Sequence, residues 1–173
     1  MKLAGKKVAV LVGPGYEDLE FWVPLMRLQE EGALVTVVGV EAGDRYASKS
    51  GGLTARAEVG ADQVSAGQFD AVVVPGGWAP DKLRRYESVT GLVRAVYQAN
   101  KIVASICHGG LVLISAGIVR GHRATGSKGI KDDPFCEQGH RYPIGKACDP
   151  GDYGKNPKRT ESYPGCCAIP YFL

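Results

Sequence analysis

A cysteine and a histidine stand side by side in the stretch VASICHGGLVLISAG, residues 103–117. A thiol reacts as its thiolate, so chemistry at Cys107 needs surroundings that draw off the proton and hold the sulfur exposed. The apolar run KIVASI before it reads as a buried strand and GGLVLISAG after it as a helix, which places Cys107 on a sharp strand-to-helix turn resembling a nucleophile elbow. Orphan N–H groups at such a turn are expected to lower the thiol pKa. His108 could serve as general base or charge partner, given a third group to orient it. Glu17, in the loop after the first apolar run, could reach the thiol. Two anions side by side repel, so Glu17 is expected as a protonated hydrogen-bond donor. Gly76 and Gly77 of VVVPGGWAPD offer unobstructed backbone N–H groups for an oxyanion hole with the amide of His108, and Gly109 is a further binding position on the same turn.

Structural readings compete with each of these. Free cysteine is among the most buried residue types and is often inert. Position at a strand end before a glycine pair argues for the reactive reading of Cys107. Glu17 and Asp18 are also the acids that a helix starting there would use in its first turn. The glycine pairs at 76–77 and 109–110 could be tight turns and no more.

The elements that must position these residues follow from hydrophobic patterning. KVAVLV (7–12), ALVTVVGV (33–40), FDAVVVPGG (69–77) and KIVASI (101–106) are continuous apolar runs that end at glycines or turns, as strands buried on both faces do. EDLEFWVPLMRLQEEG places Leu19, Trp22, Val23, Met26 and Leu28 at helical spacing, with Pro24 as a local kink. DKLRRYESVTGLVRAVYQAN reads as one amphipathic helix. Residues 41–68 are polar, with short alternations such as LTARAEV that suit a small hairpin or edge strands. Strands alternating with helices predict an α/β sandwich with a mostly parallel sheet. In such sheets ligands bind beyond the carboxyl ends of the strands, so GPGYEDLE, PGGWAPD and CHGG should converge.

The 173 residues are enough for one domain. The formal net charge is +3, with bases scattered among acids and no aromatic-interleaved basic stripe, which speaks against a nucleic-acid partner. The apolar run near the N-terminus is too short for a membrane span or a signal-peptide core, so a cytoplasmic location is expected. No cofactor or metal is expected.

The segments GYEDLEFWVPLMRL, VVVPGGWAPDKLR, VASICHGGLVLISAGIVRG and GIKDD together resemble the PfpI family of intracellular cysteine peptidases. That family lies within the class I glutamine amidotransferase-like superfamily and includes general stress proteins and protein deglycases. The resemblance covers residues 5–133. It implies a flavodoxin-like three-layer sandwich, with Cys107 as nucleophile, His108 as its partner and Glu17 as the supporting acid. It also implies a dimer or hexamer in which an acid from the PGG-x-A-P-E segment of a neighbouring subunit orients the histidine; Asp81 holds that position here, one methylene shorter than the usual glutamate. Substrates implied are a peptide, or a small aldehyde or glycated group that the thiolate would attack as a hemithioacetal. Alternatives are a redox-sensing or chaperone-like stress protein, and an inactive truncated paralogue. Ser127 stands where the family often carries an aromatic.

After Asp133 the chain changes character. Four of its five cysteines (Cys136, Cys148, Cys166, Cys167) and six of its ten prolines fall in residues 134–173, a stretch in which no strand or helix of useful length can be placed. Residues 1–133 are thus expected as the α/β domain, with its C-terminal elements missing or replaced by an irregular tail. A frameshift near codon 134 is the favoured explanation. The C-x3-H spacing at Cys136 and His140 is far from a zinc signature, and a disulfide-stapled tail would conflict with a reducing compartment.

Overall fold

The computed structural model describes residues 1–122; the expectations for Ser127 and for 134–173 lie outside them. The first apolar run forms β1 (Lys7–Leu11), followed by α1 (Asp18–Glu30) and β2 (Leu34–Gly39). The polar stretch makes a two-stranded antiparallel hairpin, β3 (Arg45–Ala47) and β4 (Thr54–Arg56), and a short edge strand β5 (Val59–Gly60). Then come β6 (Ala71–Val74), α2 (Ala79–Leu83), α3 (Glu87–Gln98), β7 (Ile102–Ser105) and α4 (Gly110–Ser115).

The main sheet has the order β5-β2-β1-β6-β7, and every pair in it is parallel. β1 is central. The chain leaves it towards β2 on one side and later returns to its other side as β6, so the order reverses between β1 and β6. A crevice opens at such a reversal, beyond the carboxyl ends of the strands. The three segments 13–17, 75–78 and 106–109 meet there, as the patterning predicts.

β1 and the second half of β2 are buried on both faces, as continuous β-branched runs require. Val8, Val10, Leu11, Val38, Val72 and Val74 join Phe21, Val89, Val93 and Val96 from α1 and α3 in one core. Two helical expectations are corrected. The single amphipathic helix after residue 80 is two, because the chain turns at Arg84–Tyr86; Leu83 is buried on one side of the break and Val89, Leu92, Val93 and Val96 on the other.

In α1 the face that packs inward is Phe21 and Leu25, spaced four apart, while Leu19, Val23 and Met26 are 70%, 52% and 62% exposed. The physical reason is Tyr16. Its ring is fully buried just before the helix and packs tilted against Phe21 with centroids 4.9 Å apart, which fixes the rotation of the helix about its axis. Burying one such side chain is worth about 2 kcal/mol, so Tyr16 and Phe21 together contribute about 4 kcal/mol on one face. Pro24 is accommodated within the helix.

Candidate functional site

Cys107 lies directly beyond β7, with φ +54. A side-chain-bearing residue in the left-handed region costs about 1–2 kcal/mol, a strain that persists where surrounding contacts fix it and that clusters at functional sites. The contacts here are plain. Ile106 N–H donates to Val74 C=O at 3.2 Å, tying the end of β7 to β6, and Gly109 N–H donates back to Ile106 C=O at 2.8 Å, closing the turn. Gly109 has no room for a side chain, because a Cβ there would drive into the carbonyl of Val74. Its amide is committed to the turn, so the expected binding role of Gly109 is replaced by a packing one.

The sulfur is half-buried and has four polar neighbours. Nδ1 of His108 is 3.2 Å from Sγ, so the two adjacent side chains meet. The backbone N–H groups of Gly77 and His108 hydrogen-bond to the thiol, as does the carboxyl of Glu20. Two backbone amides thus face the sulfur from one side.

Gly76 does not complete that pair as expected. Its N–H donates to Oε2 of Glu20 at 2.9 Å, and a Cβ at this position would clash with the same oxygen and come within 2.8 Å of the Cys107 Cβ. Gly76 is therefore the floor on which acid and nucleophile are brought together. Gly77 adopts φ +79 and pairs with Tyr16 in an isolated antiparallel bridge, with the Glu17 nitrogen and Gly15 oxygen 2.6 Å from any Cβ it would carry. Only glycine fits there.

The acid at the thiol is Glu20, not Glu17. Glu17 is the N-cap of α1: its Oε2 accepts from the Glu20 N–H at 2.9 Å, and its own N–H donates to Gly76 C=O at 3.3 Å. A cap carboxylate faces along the first turn and is occupied. Glu20, three residues on, projects from the inner edge of that turn towards Gly76. The signal was present in the sequence as the spacing E-x-x-E at a helix start, in which one acid caps and the other is free to point elsewhere.

Burial pushes the Glu20 carboxyl up, its hydrogen bonds to Cys107 and Gly76 only partly offsetting this. Burial also pushes the Cys107 thiol up, and the neighbouring Glu20 charge adds to it. This reverses the expected depression. The short turn and six-residue α4 supply little dipole, and the amides of Gly77 and His108 pull down less than burial and Glu20 push up. Both shifts favour the protonated form, so thiol and carboxyl each resist ionising while the other is charged. Asp81 is exposed on α2 and accepts from Arg85 Nη2 at 2.7 Å; within one chain it does not join this cluster. Among the described residues no group of histidine, cysteine and carboxylate side chains is arranged to hold a metal ion, and no helix is long and apolar enough to cross a membrane.

The architecture and sequence have well-defined likenesses. Residues 6–145 match the family model described as the DJ-1/PfpI family. Over 127 residues the chain is 40% identical to a deglycase of Thermococcus kodakarensis, covering 73% of this chain and 75% of that protein. It is 37% identical over the same length and the same shares to the deglycase PfpI of Pyrococcus furiosus. A two-domain Anabaena variabilis protein with DJ-1/ThiJ/PfpI-like and ferritin-like domains superposes with a TM-score of 0.72 at 41% identity, over 74% of this chain and 37% of that longer one. A central β1, a cysteine elbow beyond β7 and matches of this extent have one meaning: the chain belongs to the DJ-1/PfpI family.

Proposed function

We propose that this protein is a cysteine hydrolase of the deglycase type, acting on aldehydes or on the glycated groups they form. The observation that carries the reading is the positive-φ Cys107, whose sulfur meets a half-buried carboxyl, an imidazole nitrogen and two backbone N–H groups at once. The names of the relatives point the same way.

With an α-oxoaldehyde, the thiol proton passes to Glu20 as sulfur bonds to the aldehyde carbon. The C=O π pair moves to oxygen, the Gly77 and His108 amides hold the developing charge, and Glu20 returns the proton to give a hemithioacetal. His108, beside the sulfur, then carries the carbinol C–H proton to the neighbouring carbonyl carbon, while the carbinol O–H proton passes to that carbonyl's oxygen. These two shifts leave a 2-hydroxyacyl thioester, which water hydrolyses to a 2-hydroxy acid and free thiol. Each step uses groups already in contact, so no residue from a second copy is required.

Peptide hydrolysis asks for more: a histidine oriented by a further acid. Asp81 would have to come from a neighbouring subunit and leave its pairing with Arg85 to do so. The two readings separate in one experiment. Proton NMR of wild type and Cys107→Ser with methylglyoxal, and a casein digest in parallel, should show lactate formed by wild type alone and casein intact. Casein cleavage without lactate would replace this reading by the peptidase one.

A further inference from the structure

The residue after Gly77, whose amide faces the Cys107 sulfur, holds a cation that the reaction outlined above does not use. The residue after Gly77 is Trp78, 58% exposed, whose N–H donates to Gly15 C=O at 2.8 Å. Its side chain packs against Gly15, where an added Cβ would sit 3.0 Å from ring carbon Cε3. Over the ring stands the Lys49 ammonium, 5.6 Å from the centroid, within cation–π range.

Lys49 is not there by chance of a loose loop. Its N–H donates to Tyr16 C=O at 2.7 Å, and Gly15 N–H donates to Ala47 C=O at 3.0 Å, so the hairpin is stitched to the segment that carries Glu17 and Glu20. The next residue, Ser50, donates to Asp18 Oδ2 at 2.7 Å and pins the far side. Among the described residues Lys49 makes no ion pair, whereas Asp81 is taken by Arg85 and Asp18 by Ser50. A positive charge is thus held against an aromatic face one residue from an amide that points at the nucleophilic sulfur.

We propose that Lys49, positioned by Trp78, is a specificity-determining residue that favours electrophiles carrying a carboxylate beside the reacting carbon. This rests on Cys107 being the reacting nucleophile. Oxygen on the attacked carbon faces the Gly77 and His108 amides, and Glu20 closes the inner side, so the remaining substituent leaves towards the rim. A carboxylate there gains from the ammonium, and a planar group gains from the indole face.

The test needs no turnover. Iodoacetate and iodoacetamide alkylate a thiolate by the same displacement, in which sulfur bonds to carbon and iodide leaves with the C–I pair; they differ in a carboxylate against a neutral amide. The rate ratio iodoacetate to iodoacetamide at the Cys107 peptide, read by mass spectrometry and divided by the same ratio for N-acetylcysteine, measures the local preference. At low salt Lys49→Met should lower it by about threefold, as expected for one charge at the rim of a largely hydrated site. Lys49→Arg should keep it, Lys82→Met on α2 should leave it unchanged, and about 0.5 M salt should erase the difference. Trp78→Leu should lower it part of the way. An unchanged ratio in Lys49→Met, or an equal fall in Lys82→Met, overturns the proposal. A Lys49-dependent ratio in a protein that makes no lactate would retain the proposal and remove the aldehyde reaction.

Discussion

Replacing Glu20 by glutamine separates what this carboxyl does to the sulfur from what it does for the reaction. Glutamine keeps an oxygen for the Gly76 N–H, now 2.9 Å away from Oε2, and puts an N–H₂ near sulfur in place of a charge. The Glu20 carboxyl is hydrogen-bonded to the thiol, so the charge-to-sulfur separation is about 4 Å. At an effective dielectric constant near 20, unit charges at that distance interact by about 4 kcal/mol. The pair is only half-buried, and solvent screening cuts this to roughly 1–2 kcal/mol, or about one pH unit. The Cys107 alkylation profile, followed by mass spectrometry with iodoacetamide, should therefore move about one unit to lower pH in Glu20→Gln. Aldehyde consumption should fall on the order of 100-fold, because the proton carrier is gone. A more acidic thiol in a slower enzyme is the signature. A profile that moves to higher pH would refute the reasoning, since it would mean that wild-type Glu20 is held neutral and supports the thiolate as a donor.

Three further outcomes follow from the same contacts. Glu17→Ala removes the N-cap of α1 and should cost about 1 kcal/mol in chemical denaturation, with the Cys107 alkylation profile in place; a profile shifted as far as that of Glu20→Gln would return Glu17 to the site. Gly77→Ala combines a positive φ with backbone atoms 2.6 Å from the new Cβ, and should lower stability by about 2–4 kcal/mol and abolish selective labelling of Cys107; a thermal midpoint within a degree of wild type would contradict this. The raised thiol pKa also links to stability. The folded state holds the Cys107 proton to higher pH than the unfolded chain does, so stability is intact below about pH 8.5 and is lost as pH rises through the folded value. Thermal melts of Cys107→Ala between pH 7 and 10 should lose less stability than wild type; parallel curves would show that the thiol is not held above its ordinary range.

Much of the scaffold could be read directly from apolar runs. A strand buried on both faces has no choice of pattern, so KVAVLV and DAVVV announced the sheet, and the glycine breaks after them announced the loops that converge at its carboxyl edge. Cys107 was legible for the same reason: a strand end followed by Gly-Gly leaves few conformations. What the sequence concealed were rotations. α1 carries apolar residues almost all round, so spacing alone selected Leu19, Val23 and Met26, and only the buried Tyr16–Phe21 pair decides which face turns inward. That same rotation assigns Glu17 to the cap and Glu20 to the thiol. The thiol's raised pKa was hidden too, because it depends on how deeply sulfur sits and which acid it meets, not on its being at a helix start.

Cysteine at the elbow as the covalent centre is the claim on which the rest depends, and acid quenching during turnover tests it most directly. With methylglyoxal in excess, peptide mapping of the quenched protein should find one substrate equivalent on the Cys107 peptide of wild type, increased in His108→Ala, where the proton shift after attack is slowed. Lactate formation with Cys107 unmodified throughout, or formation that persists in Cys107→Ser, would contradict the account.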